Sequence, residues 1–216
     1  MNLKKIRQHQ KQFLNKLLGI KKPYVKFING VAITIFPQVF PPTTDTELIA
    51  KHVKISRGQK VLDLTTGSGA LSVIAGLKGA TGIACDINPT ATKNAQYNFR
   101  QHNVAFRTIK SDLFINVPRV KFDLIIANGP YIEGQVNHPL EHAFFGMKKF
   151  TNGIFSELAK YLKPNGKLLI SFAGWADIKN FEKTIRRYKL TFKVIGRRKT
   201  TDKQRSYILY EVSPIN

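Results

Sequence analysis

From about residue 59 to the C-terminus, short apolar runs alternate with helix-patterned segments, and this alternation restricts the fold more than any other feature of the chain. Seven runs read as strands: KVLDL (60–64), TGIACD (81–86), FRTIKS (106–111), FDLIIAN (122–128), KLLISF (167–172), FKVIGR (192–197) and SYILYEV (206–212). Helices fill the gaps near 69–77, 89–102, 151–162 and 176–188. Runs that are apolar on both faces need cover on both faces, so the expected architecture is an α/β fold with a seven-stranded, mostly parallel sheet between helical layers. The last two runs are joined by a short loop, which predicts a closing antiparallel hairpin.

The first 36 residues read as an extension, and 37–216 as the main domain. Leu3, Ile6, Phe13, Leu14, Leu17 and Leu18 fall loosely on one helical face. Residues 24–36 hold two β-rich runs around Asn29-Gly30, a hairpin turn signal. Pro37, Pro41 and Pro42 then break the chain, and Thr44-Asp45-Thr46-Glu47 supplies helix-capping chemistry ahead of LIAKHV. The formal net charge is +22, and no acidic residue precedes Asp45. Such a field attracts nucleic acid or a ribosomal partner, or is simply a solvated lysine-rich surface. No run of about 18 apolar residues is present to span a membrane, and the basic N-terminus lacks the marks of a signal peptide. Cys85 is the only cysteine, no Cys/His set has zinc-ligand spacing, and a reducing cytoplasm is the expected compartment.

Four motifs carry chemistry, each at the end of an expected strand. In Val61-Leu62-Asp63-Leu64-Thr65-Thr66-Gly67-Ser68-Gly69-Ala70 a buried strand enters a glycine turn that opens a helix, where backbone can approach a ligand closely. Ser72 stands where a dinucleotide fingerprint needs its third glycine, and no P-loop motif exists, so NAD and P-loop nucleotides are disfavoured. Asp86, in CDINP, can accept from both hydroxyls of a ribose; its competing use is to cap the next helix, a task Asn88 can take over. Asp112, in SDLF, can accept from an adenine amino group with Leu113 as an apolar neighbour, or merely cap a loop. Asn128-Gly129-Pro130-Tyr131 ends the fourth strand, as a site or as a plain turn.

Taken in order, D-L-x-T-G-S-G-A-L, D-I-N-P, S-D-L-F and N-x-P-Y resemble the class I S-adenosylmethionine-dependent methyltransferases, most nearly the HemK-like group that methylates protein glutamine N5 and its N6-adenine relatives. The likeness covers roughly residues 37–172 and includes Thr44-Asp45-Thr46-Glu47-Leu48. It implies a Rossmann-like domain with S-adenosylmethionine as cofactor. It also implies that Asp63, Thr65, Gly67 and Gly69 face the methionine end, Asp86 the ribose, and Asp112 and Leu113 the adenine, with Ile87 and Asn128 also against the cofactor. Asn128 and Tyr131 would be catalytic, with Gly129, Pro130 and Tyr131 shaping the acceptor pocket. Asn128 cannot act as a base, but its carboxamide oxygen and the Gly129 carbonyl can each accept one N–H of a planar nitrogen, and Tyr131 can stack on it. Alignment against the sulfonium methyl supplies much of the remaining rate.

Thr65 stands where many relatives have glycine, and Gly129 where they have the first proline of N-P-P-Y. About 36 residues before the domain cannot make the helical recognition domain of release-factor enzymes. The aromatic stretch 131–150 is expected to form a lid over the acceptor, with His138 contacting it and no metal held by His138, Glu141 and His142. The acceptor could be a protein, a nucleic acid or a small metabolite. A weakly active cofactor-binding module that docks on nucleic acid is the alternative outside enzymology.

Overall fold

The computed structural model describes residues 3–203 and 205–215 of the chain, with side chains from Lys5 onward. The position read at Leu3 in the first helix therefore has its side chain outside the described residues.

A helix, α1 (Leu3–Gly19), precedes a hairpin of β1 (Tyr24–Ile28) and β2 (Val31–Ile35). Asn29 (φ 49°) and Gly30 (φ 79°) make its turn, the left-handed pair such a tight connection requires. After α2 (Thr44–His52) the alternation begins: β3 (Lys60–Asp63), α3 (Ala70–Leu77), β4 (Thr81–Asp86), α4 (Pro89–Gln101), β5 (Phe106–Lys110) and β6 (Phe122–Ala127). A 3₁₀ turn (Pro139–Ala143), α5 (Met147–Tyr161), β7 (Leu162–Ala173), α6 (Ile178–Arg187), β8 (Leu190–Lys199) and β9 (Ser206–Pro214) complete the chain.

The seven-stranded sheet runs β5-β4-β3-β6-β7-β9-β8. Strands β3 to β7 are parallel, and β9 lies antiparallel between β7 and β8. Chain order reverses between β3 and β6. Their connections leave in opposite directions there, which opens a crevice beyond the strand ends. Val61, Leu62, Ile125, Ile126, Leu168 and Ile170 are fully buried between the helical layers, as two-sided cover demands.

The leading segments are built onto this body. Ile33 and Ile35 of β2 pack with Ala70 and Val73 of α3 and with Ala91, Ala95 and Phe99 of α4. Ile6, Leu14 and Leu17 of α1 pack instead on Ile132, Leu140, Phe144 and Phe145, within the expected lid. Two boundaries differ from expectation by four residues or more. Helix α5 starts four residues early, at Met147, because Gly146 (φ 95°) makes the left-handed entry. Strand β7 starts at Leu162 rather than at Lys167, since Leu162 pairs with Phe122 across a bulge.

Candidate active site

The turn between β3 and α3 is held from below. Leu64 donates to the Ile126 carbonyl (2.9 Å) and Thr66 to that of Cys85 (3.0 Å). Gly67 (φ 53°) and Gly69 (φ 83°) are both left-handed. A Cβ on Gly69 would lie 2.8 Å from the Phe99 ring, so glycine there lets α3 and α4 close on each other. On Gly67 the nearest atom would be the Phe40 carbonyl at 3.5 Å, so its outer side is open. Gly67 donates its N–H to Asp86 Oδ2 (2.9 Å), and Asn88 donates to Asp86 Oδ1 (2.9 Å). Each Asp86 oxygen keeps a lone-pair direction for a further donor. Burial pushes the Asp86 carboxyl up, against the pull of those backbone N–H groups. Asn88 takes the cap of α4, accepting from Thr90 (2.9 Å).

This turn is one wall of a mostly apolar cavity of about 430 Å³ at the crevice. Asp86 to Asn88, Ser111 to Leu113, and Asn128 to Pro130 form the other walls, and His142, Phe145, Lys149 and Phe150 belong to its roof. Asp112 pairs with Lys149 at 2.5 Å across the mouth. Burial lowers the affinity of His142 for its proton, the nearby Asp112 carboxylate raising it and Lys149 lowering it.

Thr65 explains one departure of the sequence. Its hydroxyl donates to the Asn128 carbonyl (3.0 Å) and accepts from the Asn128 N–H (3.0 Å), clamping the ends of β3 and β6 together. Gly129 explains the other: a Cβ there would meet the Phe150 ring at 2.2 Å.

The Asn128 side chain ends in a buried polar cluster. Tyr131 Oη lies 2.7 Å from Asp45 Oδ2, 2.8 Å from Ser171 Oγ and 2.7 Å from Asn128 Oδ1, and Ser171 Oγ is 2.5 Å from the same Oδ1. Asn128 Nδ2 is 3.3 Å from Thr46 Oγ1. Two hydroxyl protons cannot fill four oxygen–oxygen contacts. If the amide is turned about its terminal bond, its NH₂ group donates to both hydroxyls and four protons fill four contacts. The carboxamide oxygen then lies beside Thr46, which lines the cavity. Burial, together with the Asp45 charge, holds the Tyr131 hydroxyl far above its usual range, so it remains a proton donor.

The model of the family described as methyltransferase small domain matches residues 43–199. The chain belongs to the methyltransferase small domain family. It is 34% identical over 151 residues to a Methanocaldococcus jannaschii protein that carries the provisional name protein N5-glutamine methyltransferase, covering 66% of this chain and 76% of that relative. The ribosomal protein uL3 glutamine methyltransferase of Francisella tularensis is 33% identical over 125 residues, and there the chain spans only 40% of the relative and the match 51% of the chain. In fold it is similar to the T. thermophilus 16S rRNA N2 G1207 methyltransferase solved with AdoMet and guanosine. That pair has a TM-score of 0.62 at 18% identity, over 90% of this chain and 50% of the other.

The protein is thus an S-adenosylmethionine-dependent methyltransferase, and the cavity suits that cofactor. A carboxylate with two lone-pair directions sits beside an uncrowded glycine, and apolar walls offer room for a nucleoside of this size. Of the residues singled out in the sequence, Thr65, Gly67, Asp86, Ile87, Asp112, Leu113, Asn128, Gly129 and Pro130 line it. Asp63, Gly69, Tyr131 and His138 do not. Asp63 lies behind the turn, accepting from Thr66 and Ser72 hydroxyls (2.9 and 2.8 Å), and Gly69 is consumed by helix packing. His138 caps the 3₁₀ turn, accepting from Leu140 N–H (3.1 Å), and His142 takes its expected place at the cavity. The Tyr131 ring is 8% exposed and packed against Phe172, Trp175 and Tyr207, which leaves little of it for stacking. Asp45, Thr46 and Ser171 were not expected in the site. A serine in the middle of the buried KLLISF strand was the one sequence signal for the last of them. Among the described residues no cluster of three His, Cys, Asp or Glu could hold a metal, and no helix is long and apolar enough to cross a membrane.

Proposed function

We propose that this methyltransferase acts on a planar nitrogen, either a glutamine-type side-chain amide or a base amino group, presented at Asn128. The observation that carries the reading is the Asn128 amide itself, held by Tyr131, Ser171 and Thr46 at the carboxyl end of β6. The cofactor supplies an electrophilic methyl on a sulfonium. Asp86 holds the ribose hydroxyls, Ile87 and Leu113 flank the adenine, and Asp112 shares its carboxylate between Lys149 and the adenine amino group. Thr65 and Gly67 bound the methionine end.

An amide or aromatic amino nitrogen is a weak nucleophile because its lone pair is delocalised. The Asn128 carboxamide oxygen and the Gly129 carbonyl each accept one of its hydrogens, which favours a pyramidal nitrogen with its lone pair toward the methyl. Phe150 and the 131–150 lid exclude water. The names of the relatives favour a protein glutamine as acceptor, and the +22 charge favours a nucleic acid. A single, buried cysteine fits a cytoplasmic location.

The test is Asn128→Ala, assayed with tritiated cofactor on cell extract separated into protein, nucleic acid and small molecules. Transfer to one fraction should fall at least a hundredfold while calorimetric binding of the demethylated cofactor is kept. Unchanged transfer would exclude Asn128 as the acceptor's partner.

A further inference from the structure

A second cavity, of about 950 Å³ between α1, the start of α2 and the turn between β8 and β9, meets the first at Asn128 and belongs to the corner already described. The outer face of the β1–β2 hairpin is a separate surface, and Val25, Phe27, Ala32 and Thr34 on it line neither cavity. The pairing register sets Val25 opposite Thr34 and Phe27 opposite Ala32, and opposed residues of an antiparallel pair share a face. Ile33 and Ile35 take the other face and pack on α3 and α4. Val25 is left 54% exposed and Phe27 67%.

The free edge of β2 is stitched to α4. Asn94 and Asn98 both donate to the Thr34 carbonyl (2.8 Å), and their amide oxygens accept from the N–H groups of Phe36 (2.9 Å) and Thr34 (3.0 Å) respectively. His102 Nε2 lies 2.7 Å from the Ala32 carbonyl. Asn94, Asn98 and His102 are spaced by four, so one stripe of α4 follows the strand. Beside that stripe Tyr97 is 39% exposed, its ring 5.3 Å from that of Phe36 just past β2. Ala32 and Phe36 are about 13 Å apart at the rise of an extended chain. Phe27, across from Ala32, and Tyr97, beside Phe36, thus stand at the two ends of one strip.

The strip is cationic. Lys93 and Arg100 are exposed on α4 one turn either side of Tyr97, and Lys22 is exposed just ahead of β1. None of the three forms an ion pair among the described residues. The segments that build this face, 1–44 and 64–111, contain one acidic residue, Asp86, whose oxygens are turned to Gly67 and Asn88. Exposed rings along a cationic strip fit a nucleic acid strand, whose bases stack on aromatic side chains while its phosphates meet Lys and Arg. A protein partner fits less well. Val25, Phe27 and Tyr97 together expose roughly 300 Å². Standard interfaces bury about 800 Å² per partner, somewhat more than half of it apolar. A second copy would also set +22 against +22.

We propose that the outer face of the hairpin and α4 is a docking surface for single-stranded nucleic acid, with bases stacked on Phe27 and Tyr97 and phosphates at Lys22, Lys93 and Arg100. It holds the enzyme to a strand whatever the methyl acceptor is, and none of these residues lines the cofactor cavity or the Asn128 corner.

The full chain, saturated with demethylated cofactor, is titrated with fluorescein-labelled twelve-nucleotide single-stranded RNA and DNA and with a duplex of that length, read by anisotropy. Single strands should bind more tightly than the duplex, whose base faces are taken up in its own stack. Phe27→Ala and Tyr97→Ala should each weaken strand binding at least about fivefold, the low end for one lost base stack. Phe27→Trp should bind as wild type does, its added emission quenched by the strand, whereas Phe27→Leu, apolar but without a π face, should bind as weakly as Phe27→Ala. In K93Q/R100Q the slope of log affinity against log salt should shrink by about 1.4, at about 0.7 per lost phosphate contact on a single strand. Unchanged heat of cofactor binding shows that each variant is folded. Full affinity in Phe27→Leu, unchanged affinity in both alanine variants, or tighter binding of the duplex overturns the proposal.

Discussion

Replacing Tyr131 with phenylalanine removes a single oxygen from the point where Asp45, Asn128 and Ser171 meet. Asp45 is 4% exposed and loses a hydroxyl donor at 2.7 Å, a hydrogen bond to a charged group that contributes about 1.5–3 kcal/mol. Asn128 loses a neutral partner at 2.7 Å, a bond of about 1 kcal/mol, and Ser171 loses another of about that size at 2.8 Å. The sum, roughly 3.5–5 kcal/mol, corresponds to a fall in Tm of roughly 7–20 °C for a chain of this size. The second loss also acts on the reaction. About 1 kcal/mol less preference for one amide orientation lowers the ratio of the accepting orientation to the turned-away one about fivefold, so kcat should fall, by at most about fivefold. KM for the cofactor should hold, because Tyr131 is not on the wall of the cofactor cavity. The loss should also be the same from pH 6 to 9, since the hydroxyl stays protonated throughout. Thermal scanning and single-turnover transfer at saturating cofactor measure both quantities. A lowered Tm with kcat unchanged would refute the orientation of Asn128 by this cluster. A loss beyond a thousandfold would refute it in the other direction, by giving the hydroxyl a chemical role.

Two further outcomes follow from the packing and burial around the site. Gly129→Ala places a methyl 2.2 Å from the Phe150 ring, and such overpacking costs about 1–3 kcal/mol; a shift of the urea midpoint should report it, and Phe150→Leu in the same chain should restore more than half. Burial raises the Asp63 carboxyl from 3.8 to about 6, so the folded state holds that proton more tightly than the unfolded chain. This acid therefore opposes folding in full above about pH 6 and not at all below about pH 4, and its contribution to stability should rise by about 3 kcal/mol as pH falls from 7 to 4. Urea unfolding of wild type and Asp63→Asn across that range tests the sign: a difference between them that does not change with pH refutes it.

Much of the cofactor cavity was legible because it is assembled from strand ends, and strand ends are marked locally. Gly67, Asp86 and Asn128 each follow a buried apolar run, Asp112 follows the half-exposed edge strand β5, and parallel pairing brings these ends to one edge of the sheet. What sequence patterning missed lies where a residue's use depends on a distant partner. His138 and His142 read alike in the chain, and only the 3₁₀ turn gives one a capping role and the other a place at the cavity. Thr65 and Gly129 read as departures from the family pattern, yet one clamps Asn128 and the other makes room for Phe150.

The order of apolar runs and glycine turns by itself determined the α/β class, the parallel sheet and the strand-end edge at which the first cavity opens, because each follows from the period of burial along the chain. Tertiary structure alone decided how the acceptor's corner is built. Asp45 and Tyr131 are 86 residues apart and Asn128 and Ser171 are 43 apart, and no local pattern encodes which buried hydroxyl will meet which amide. The second cavity arises in the same way, from a leading helix and a closing hairpin that are neighbours only once the sheet has formed.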